Sequence, residues 1–306
     1  MIEHIPVLLE EVVTQLSREC PPAFIVDATV GLGGYSERFL LEWPSCRVLG
    51  IDQDPMALKR TRERLSGPLA AGRFRVVEGN FRCLQQLVSE TGWGRPDGVV
   101  FDLGVSNLQL SLSERGFSFQ EEGPLDMRMG RGETTAEELI NKLSEAELRR
   151  LFRDYGEEPH AAPIARGIVK HRDQKGPIRT TAELVNVIRN ALPAPLQRKM
   201  NRHPARRVFQ ALRIAVNDEM EALREGLNQA VRSIGENGCV LVVSYHSLED
   251  RIVKHAFNQW EKDGLGRRMP RKAIQASPEE VQRNYKSRSA MLRVFRMNGK
   301  EIDPGR

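Results

Sequence analysis

The run Val26-Asp27-Ala28-Thr29-Val30-Gly31-Leu32-Gly33-Gly34 sets an acid at the end of an apolar stretch and three glycines close behind it. Glycine accepts positive φ and lets a ligand approach the backbone. A helix starting at that point would offer unpaired N–H groups to a carboxylate or phosphate. The spacing departs from the dinucleotide fingerprint G-x-G-x-x-G. Asp52 closes the next apolar run, at the position where a carboxylate can accept both ribose hydroxyls of an adenosine cofactor. Either NAD or S-adenosylmethionine satisfies that pattern. Capping competes poorly as a role for Asp52, because Asp54 already stands before Pro55. Phe81 follows a third apolar run, where its ring could stack on adenine or join the core. Asp102 closes a fourth, Gly98-Val99-Val100-Phe101. A buried acid is costly unless paired or used, so Asp102 is expected to face the reactive end of the cofactor or the substrate. His246, in Ser244-Tyr245-His246-Ser247, could move a proton, contact a phosphate, or be satisfied locally. Tyr245 could stack on a base or be core.

These side chains need elements that hold them at one edge. Apolar, β-prone runs at 23–29, 47–52, 74–78 and 98–103 alternate with helical patterns at 36–41 and 55–65. That alternation predicts a parallel sheet covered by helices. The stretch 110–131 reads as a loop, and within it the length and glycines of Gly116–Gly130 suit an active-site cover. Several helices follow over 134–192, with capping boxes at Thr135-Ala136-Glu137-Glu138 and Ser144-Glu145-Ala146-Glu147. Apolar periodicity predicts one long helix over 205–234. A strand at 239–244, a helix at 248–260 and a last strand at 290–296 complete the chain. The expected fold is α/β: a Rossmann-like sheet, 1–109 with 205–306, interrupted by an inserted all-helical domain with its loop, 110–204. Such an insertion would lie at the carboxyl ends of the strands, where these sheets bind ligands.

The chain has 306 residues and a net charge of +5. Its bases cluster: Arg198, Lys199, Arg202, Arg206 and Arg207 run without an acid, and a second basic region spans 267–293. Acids concentrate over 133–158. Segregation of this kind suits a polyanion track or two solvated faces, and charge alone does not choose. The four cysteines lack metal or redox spacing, and plain buried thiols are expected in a reducing cytoplasm. No metal site is evident. No stretch has the apolar length of a membrane span, and the first residues carry acids where a targeting peptide would carry bases.

Further motifs specify more. His4-Ile5-Pro6-Val7-Leu8-Leu9-Glu10-Glu11, the 27–36 turn and Ile51-Asp52-Gln53-Asp54-Pro55 are followed in order by Phe101-Asp102-Leu103-Gly104-Val105-Ser106 and Glu114-Arg115-Gly116-Phe117-Ser118-Phe119. Then come Gly123-Pro124-Leu125-Asp126-Met127-Arg128-Met129, Tyr155-Gly156-Glu157-Glu158, Phe209-Gln210-Ala211-Leu212-Arg213-Ile214 and the motif Ser244–Lys254. The set resembles the bacterial 16S rRNA (cytosine-N4)-methyltransferase family (RsmH/MraW) across almost the whole chain. The resemblance implies an S-adenosylmethionine-dependent enzyme that methylates the exocyclic amine of a cytidine in the decoding region of the small ribosomal subunit. It implies cofactor contacts at Gly33, Gly34, Tyr35, Asp52, Phe81, Asp102 and Gln109. Three positions depart from the family pattern: Tyr35 stands for histidine, Asn107 for serine, and Asn284-Tyr285-Lys286 for Asn-Pro-Arg.

In that reaction Asp102 is the expected proton acceptor, with His246 a further catalytic candidate and Asn107 a partner for the amine. Arg115, Arg128, Arg202, Arg206 and Arg207 are expected to hold RNA phosphates. The partner is 16S rRNA, in the finished subunit or an assembly intermediate, and a homodimer is possible. Two rivals share the features: a nicotinamide-dependent oxidoreductase, and an RNA-binding assembly factor without catalysis.

Overall fold

Successive residues of a strand leave toward opposite faces of its sheet, and here both faces are apolar. Ile25, Val48, Val100 and Leu241 enter one core, while Val26, Leu49, Val99 and Val240 enter another. That two-sided burial is why the strands read as unbroken apolar runs. The computed structural model describes residues 5–18, 21–200 and 203–299. It divides the chain into two compact units, Met1–Gly104 with Met220–Arg306, and Val105–Glu219.

The first unit is built on an eight-stranded sheet of order β3-β2-β1-β4-β5-β8-β6, with β7 also paired to β8. The strands are β1 (Phe24–Asp27), β2 (Arg47–Asp52), β3 (Phe74–Glu78), β4 (Gly98–Asp102), β5 (Cys239–Ser244), β6 (Gly266–Arg268), β7 (Ile274–Gln275) and β8 (Met291–Met297). β1 to β5 are mutually parallel, and β8 runs antiparallel to β5. The strand order reverses between β1 and β4, which opens a crevice at their carboxyl ends. Asp27, Asp52 and Asp102 each end their strand at that edge. β6 and β7 lie in a stretch that reads as polar linker. Gly266 allows β6 to close on β8, because a Cβ there would fall 2.1 Å from the Arg296 carbonyl oxygen.

The second unit is helical, with helices Ala136–Lys142, Glu145–Asp154, Ala161–Lys175, Thr181–Ala191 and Arg206–Asn217. Thr135, Ser144 and Thr180 cap three of them through reciprocal boxes with Glu138, Glu147 and Glu183. The single helix expected over 205–234 is two, Arg206–Asn217 and Glu219–Ser233. They are separated by Asp218 in the left-handed region, at φ 47°. Aspartate is one of the few residues that tolerates this conformation. Asn217 accepts the Met129 N–H at 2.8 Å and donates to the Met127 carbonyl at 2.8 Å, which ties the end of its helix to the preceding loop. Apolar periodicity runs through the break and cannot register it.

The loop over 116–130 is anchored in the core of its own unit. Phe117, Leu125, Met127 and Met129 are buried in the helical core. A Cβ on Gly116 would lie 2.0 Å from the Pro124 carbonyl oxygen, and one on Gly123 would lie 1.8 Å from that of Ser113. Those glycines serve close backbone packing rather than mobility.

Candidate active site

Gly31 and Gly33 adopt φ of 52° and 80°, and Gly33 is the N-cap of the Gly34–Glu42 helix. The first N–H bonded within this segment is that of Glu37, to the Gly33 carbonyl. The amides of Gly34 and Tyr35 therefore point out of the helix end as donors. A Cβ on Gly33 would meet Thr61 Cγ2 at 3.1 Å and Leu65 Cδ1 at 3.3 Å, so the turn also packs on the Pro55–Arg64 helix. The Tyr35 side chain packs into the core. Its ring is 4 % exposed and its hydroxyl donates to the Val7 carbonyl.

Asp27 lies beneath the turn, 1 % exposed. Its Oδ2 accepts the Ser36 hydroxyl at 2.7 Å, while its buried Oδ1 has no hydrogen-bond partner among the described residues. Burial pushes its carboxyl up to about 6, against the pull of Ser36. Asp52 braces the same turn: Oδ2 accepts the Gly31 N–H at 2.8 Å and Oδ1 that of Asp54 at 2.9 Å. Burial pushes Asp52 up to about 6 as well, with those backbone donors opposing. Asp54 caps the next helix by accepting the Met56 N–H, as its place before Pro55 predicts.

Asp102 is half-buried at the end of β4, and the Tyr245 hydroxyl donates to its Oδ1 at 2.6 Å. Its N–H is held by Thr29 Oγ1 at 2.7 Å, which links the β1 turn to the end of β4. Burial pushes Asp102 up to about 7; Asp27 and Glu249 add to this, while Tyr245 and Lys286 pull it down. Sequence reasoning did not assign Asp27, Thr29 or Lys286 to the site. The strand-end position marks Asp27, whereas only the folded chain brings Lys286 near Asp102.

Phe81 meets Phe101 edge-on at 5.5 Å and lies over Gly226, where a Cβ would approach its Cδ2 to 2.5 Å. Half of the ring therefore belongs to the core. Gly226→Ala is expected to cost about 1–3 kcal/mol, because neither ring can yield. A denaturant midpoint equal to that of the parent would refute this packing.

His246 caps the Ser247–Lys262 helix. Its Nδ1 accepts the Glu249 N–H at 3.4 Å, and Glu249 Oε2 accepts the N–H groups of Tyr245 and His246 at 2.8 and 3.2 Å. Its Nε2 lies 3.1 Å from Glu249 Oε1 without hydrogen-bond alignment. In the second unit, Gln109 Oε1 accepts the Ser106 N–H at 3.0 Å and closes a capping box.

The expected phosphate ligands divide. Arg115 donates to the carbonyls of Arg128 and Met129 at 2.9 and 3.2 Å, and Arg128 grips Asp126 at 2.9 and 2.7 Å. Both therefore shape the loop. Arg206 and Arg207 are exposed on the first turn of their helix. Arg202 lies outside the described residues. In the second basic region Arg268 pairs with Glu261 and Arg293 with Asp250, while Arg267, Arg271 and Lys272 are exposed. Cys46 and Cys239 are buried, but Cys83 is exposed, contrary to expectation. Among the described residues no helix is long and apolar enough to cross a membrane.

A model of the MraW methylase family matches residues 1–298. The chain is 43% identical over 295 residues to the ribosomal RNA small subunit methyltransferase H of Persephonella marina, covering 96% of this chain and 99% of that protein. Its identity to the protein of the same name from Pseudothermotoga lettingae is also 43%, with 96% and 98% covered. For Mycolicibacterium smegmatis the identity is 41%, with 97% and 84% covered.

Proposed function

The chain belongs to the MraW methylase family, and from that premise we propose that it transfers the methyl group of S-adenosylmethionine to the N4 amine of a cytidine in the decoding region of 16S rRNA. The observation that carries the reading is Asp102, a strand-end carboxylate with one oxygen pinned by Tyr245, beside the β1 turn. Family membership also removes the nicotinamide reading that the strand-end acids left open.

The residues fit the cofactor. An amino-acid moiety needs acceptors for its ammonium and donors for its carboxylate. The turn has a buried oxygen on Asp27 with no hydrogen-bond partner among the described residues, and a helix end with N–H groups directed outward. Gly33, Gly34 and the Tyr35 backbone would hold the amino-acid end, Asp52 the ribose, and the free side of Phe81 the adenine. When bound, the cofactor supplies an electrophilic methyl on a sulfonium. Gln109 is a cofactor position in the family; here its Oε1 accepts the Ser106 N–H.

The amine of cytosine is a weak nucleophile because its lone pair is delocalised into the ring. Asp102 localises that pair by accepting an amine N–H, and takes the proton once the new bond has formed. Orientation of the amine toward the methyl supplies much of the remaining gain. His246 acts through the helix cap that fixes Tyr245 rather than by moving protons. The base must leave any stack to reach the site. Arg206 and Arg207 hold RNA backbone, while Arg115 and Arg128 keep the loop in shape. The reading takes the cytoplasm as the compartment and the small subunit, finished or assembling, as the partner; a homodimer is compatible with it.

Labelled S-adenosylmethionine and small subunits from a strain lacking this gene provide the test, followed by nucleoside analysis. Label in N4-methylcytidine is expected. Label in another nucleoside, or none with cofactor bound, would overturn the substrate assignment.

A further inference from the structure

Asp102 has two carboxylate oxygens, and the fold treats them differently. Oδ1 is held by the Tyr245 hydroxyl at 2.6 Å, while among the described residues no hydrogen-bond donor is set on Oδ2. Resting on the proposed reaction, we infer that Tyr245 is a positioning residue: its hydroxyl fixes the rotation of the Asp102 carboxylate so that Oδ2 is the oxygen that receives the amine proton.

The placement of Tyr245 is over-determined. It follows β5 directly, and β5 pairs with β4 so that Val243 stands opposite Asp102. Its N–H is held by the buried Glu249 carboxylate at 2.8 Å, which also binds the cap of the next helix. Its ring lies over Gly104, where a Cβ would sit 3.4 Å from Cδ2 and where φ is 98°. A side chain at Gly104 would therefore be strained and would crowd the ring. Burial, and then the charge of Asp102, hold the Tyr245 hydroxyl well above its ordinary range. It stays protonated and can only donate to an ionised Asp102. That leaves Oδ2 as the acceptor.

Lys286 sits in the Tyr285–Ser289 turn that leads into β8. β8 begins with Met291 opposite Ser244, so the turn lies near the carboxyl end of β5. Burial pulls Lys286 below its ordinary range and the charge of Asp102 restores part of the loss. The other charged or titratable groups facing Asp102 are the carboxyls of Asp27 and Glu249 and the hydroxyl of Tyr35, which burial keeps protonated. Among the groups acting on Asp102, Lys286 is the cation that counters them.

The step balances. The amine nitrogen bonds to the methyl carbon as the carbon–sulfur bond breaks, and the bonding pair stays on sulfur. The nitrogen then loses one proton to Oδ2, and the resulting carboxyl group returns it to solvent.

Tyr245→Phe removes one hydroxyl and keeps the ring. It is expected to lower kcat by about tenfold or more at pH 7, with KM for S-adenosylmethionine unchanged. The phenol hydrogen bond lowers the Asp102 titration, so the variant should move the acidic limb of kcat to higher pH and recover part of its rate there. Lys286→Met should move the limb in the same direction, and Lys286→Arg should restore it. A second readout needs no turnover. Infrared titration of the ligand-free protein, with the Asp102 band identified by its loss in Asp102→Asn, should show that band titrating at higher pH in Tyr245→Phe. An unchanged limb or an unchanged band would overturn the inference. Failure of the parent enzyme to methylate rRNA would instead overturn the substrate reading, and the infrared titration would still decide the role of Tyr245.

Discussion

Replacing Asp102 by asparagine is expected to lower kcat by about 10²–10⁴-fold, the range that a positioned general base contributes. Asparagine keeps the shape and can still accept the Tyr245 hydroxyl, but it cannot take the amine proton. In the parent, burial pushes Asp102 up to about 7, so the active, ionised form is lost as pH falls below neutrality. The rate should decline about tenfold per pH unit well below that point, and the limb should be absent from the residual rate of the variant. Stability runs the other way. A carboxyl whose folded value exceeds its unfolded value of 3.8 contributes stability that is complete below the unfolded value. That contribution is lost as pH rises through about 7. Asp102→Asn removes the burden of an ionised, desolvated carboxylate, so its melting temperature at pH 8 should equal or exceed that of the parent. Substantial activity in Asp102→Asn at pH 7 would rule out the acid as the proton acceptor. A collapse of its melting temperature would reassign Asp102 to structure.

The second large effect is expected at Asp52. Asp52→Ala removes the acceptor for the ribose hydroxyls and also releases the N–H groups of Gly31 and Asp54, now held at 2.8 and 2.9 Å. Hydrogen bonds to a charged group contribute about 1.5–3 kcal/mol each, and about 1.4 kcal/mol is tenfold in affinity. The Kd for S-adenosylmethionine should therefore rise by about 100-fold or more. The loss of two bonds across the β1 turn should also lower the melting temperature. Burial pushes Asp52 up to about 6, so in the parent the same affinity should weaken as pH falls through that value. Calorimetric titration at pH 5 and pH 8 reads both effects. Parent-like affinity in Asp52→Ala would separate the residue from the cofactor and leave it as a brace of the turn.

The sequence by itself determined the elements and the edge where chemistry gathers. Unbroken apolar runs ending in Asp52 and Asp102, and glycines directly behind Asp27, are local patterns, and local patterns survive without knowledge of strand order. The caps at Thr135 and Ser144 were legible for the same reason. What only the tertiary structure decided concerns partners far apart in the chain. Tyr245 and Asp102 are 143 residues apart, and their hydrogen bond exists because β5 pairs with β4 in one register. Arg115 and Arg128 read as bases free to meet phosphate, yet backbone carbonyls and Asp126 at the right distance engage them. Asp218 splits a helix that periodicity continues, because a left-handed residue ends the helical backbone without changing the apolar pattern. Residue type and spacing record what a segment is able to form. Which acids meet which donors depends on register and packing, and those are fixed only when the strands and helices close on one another.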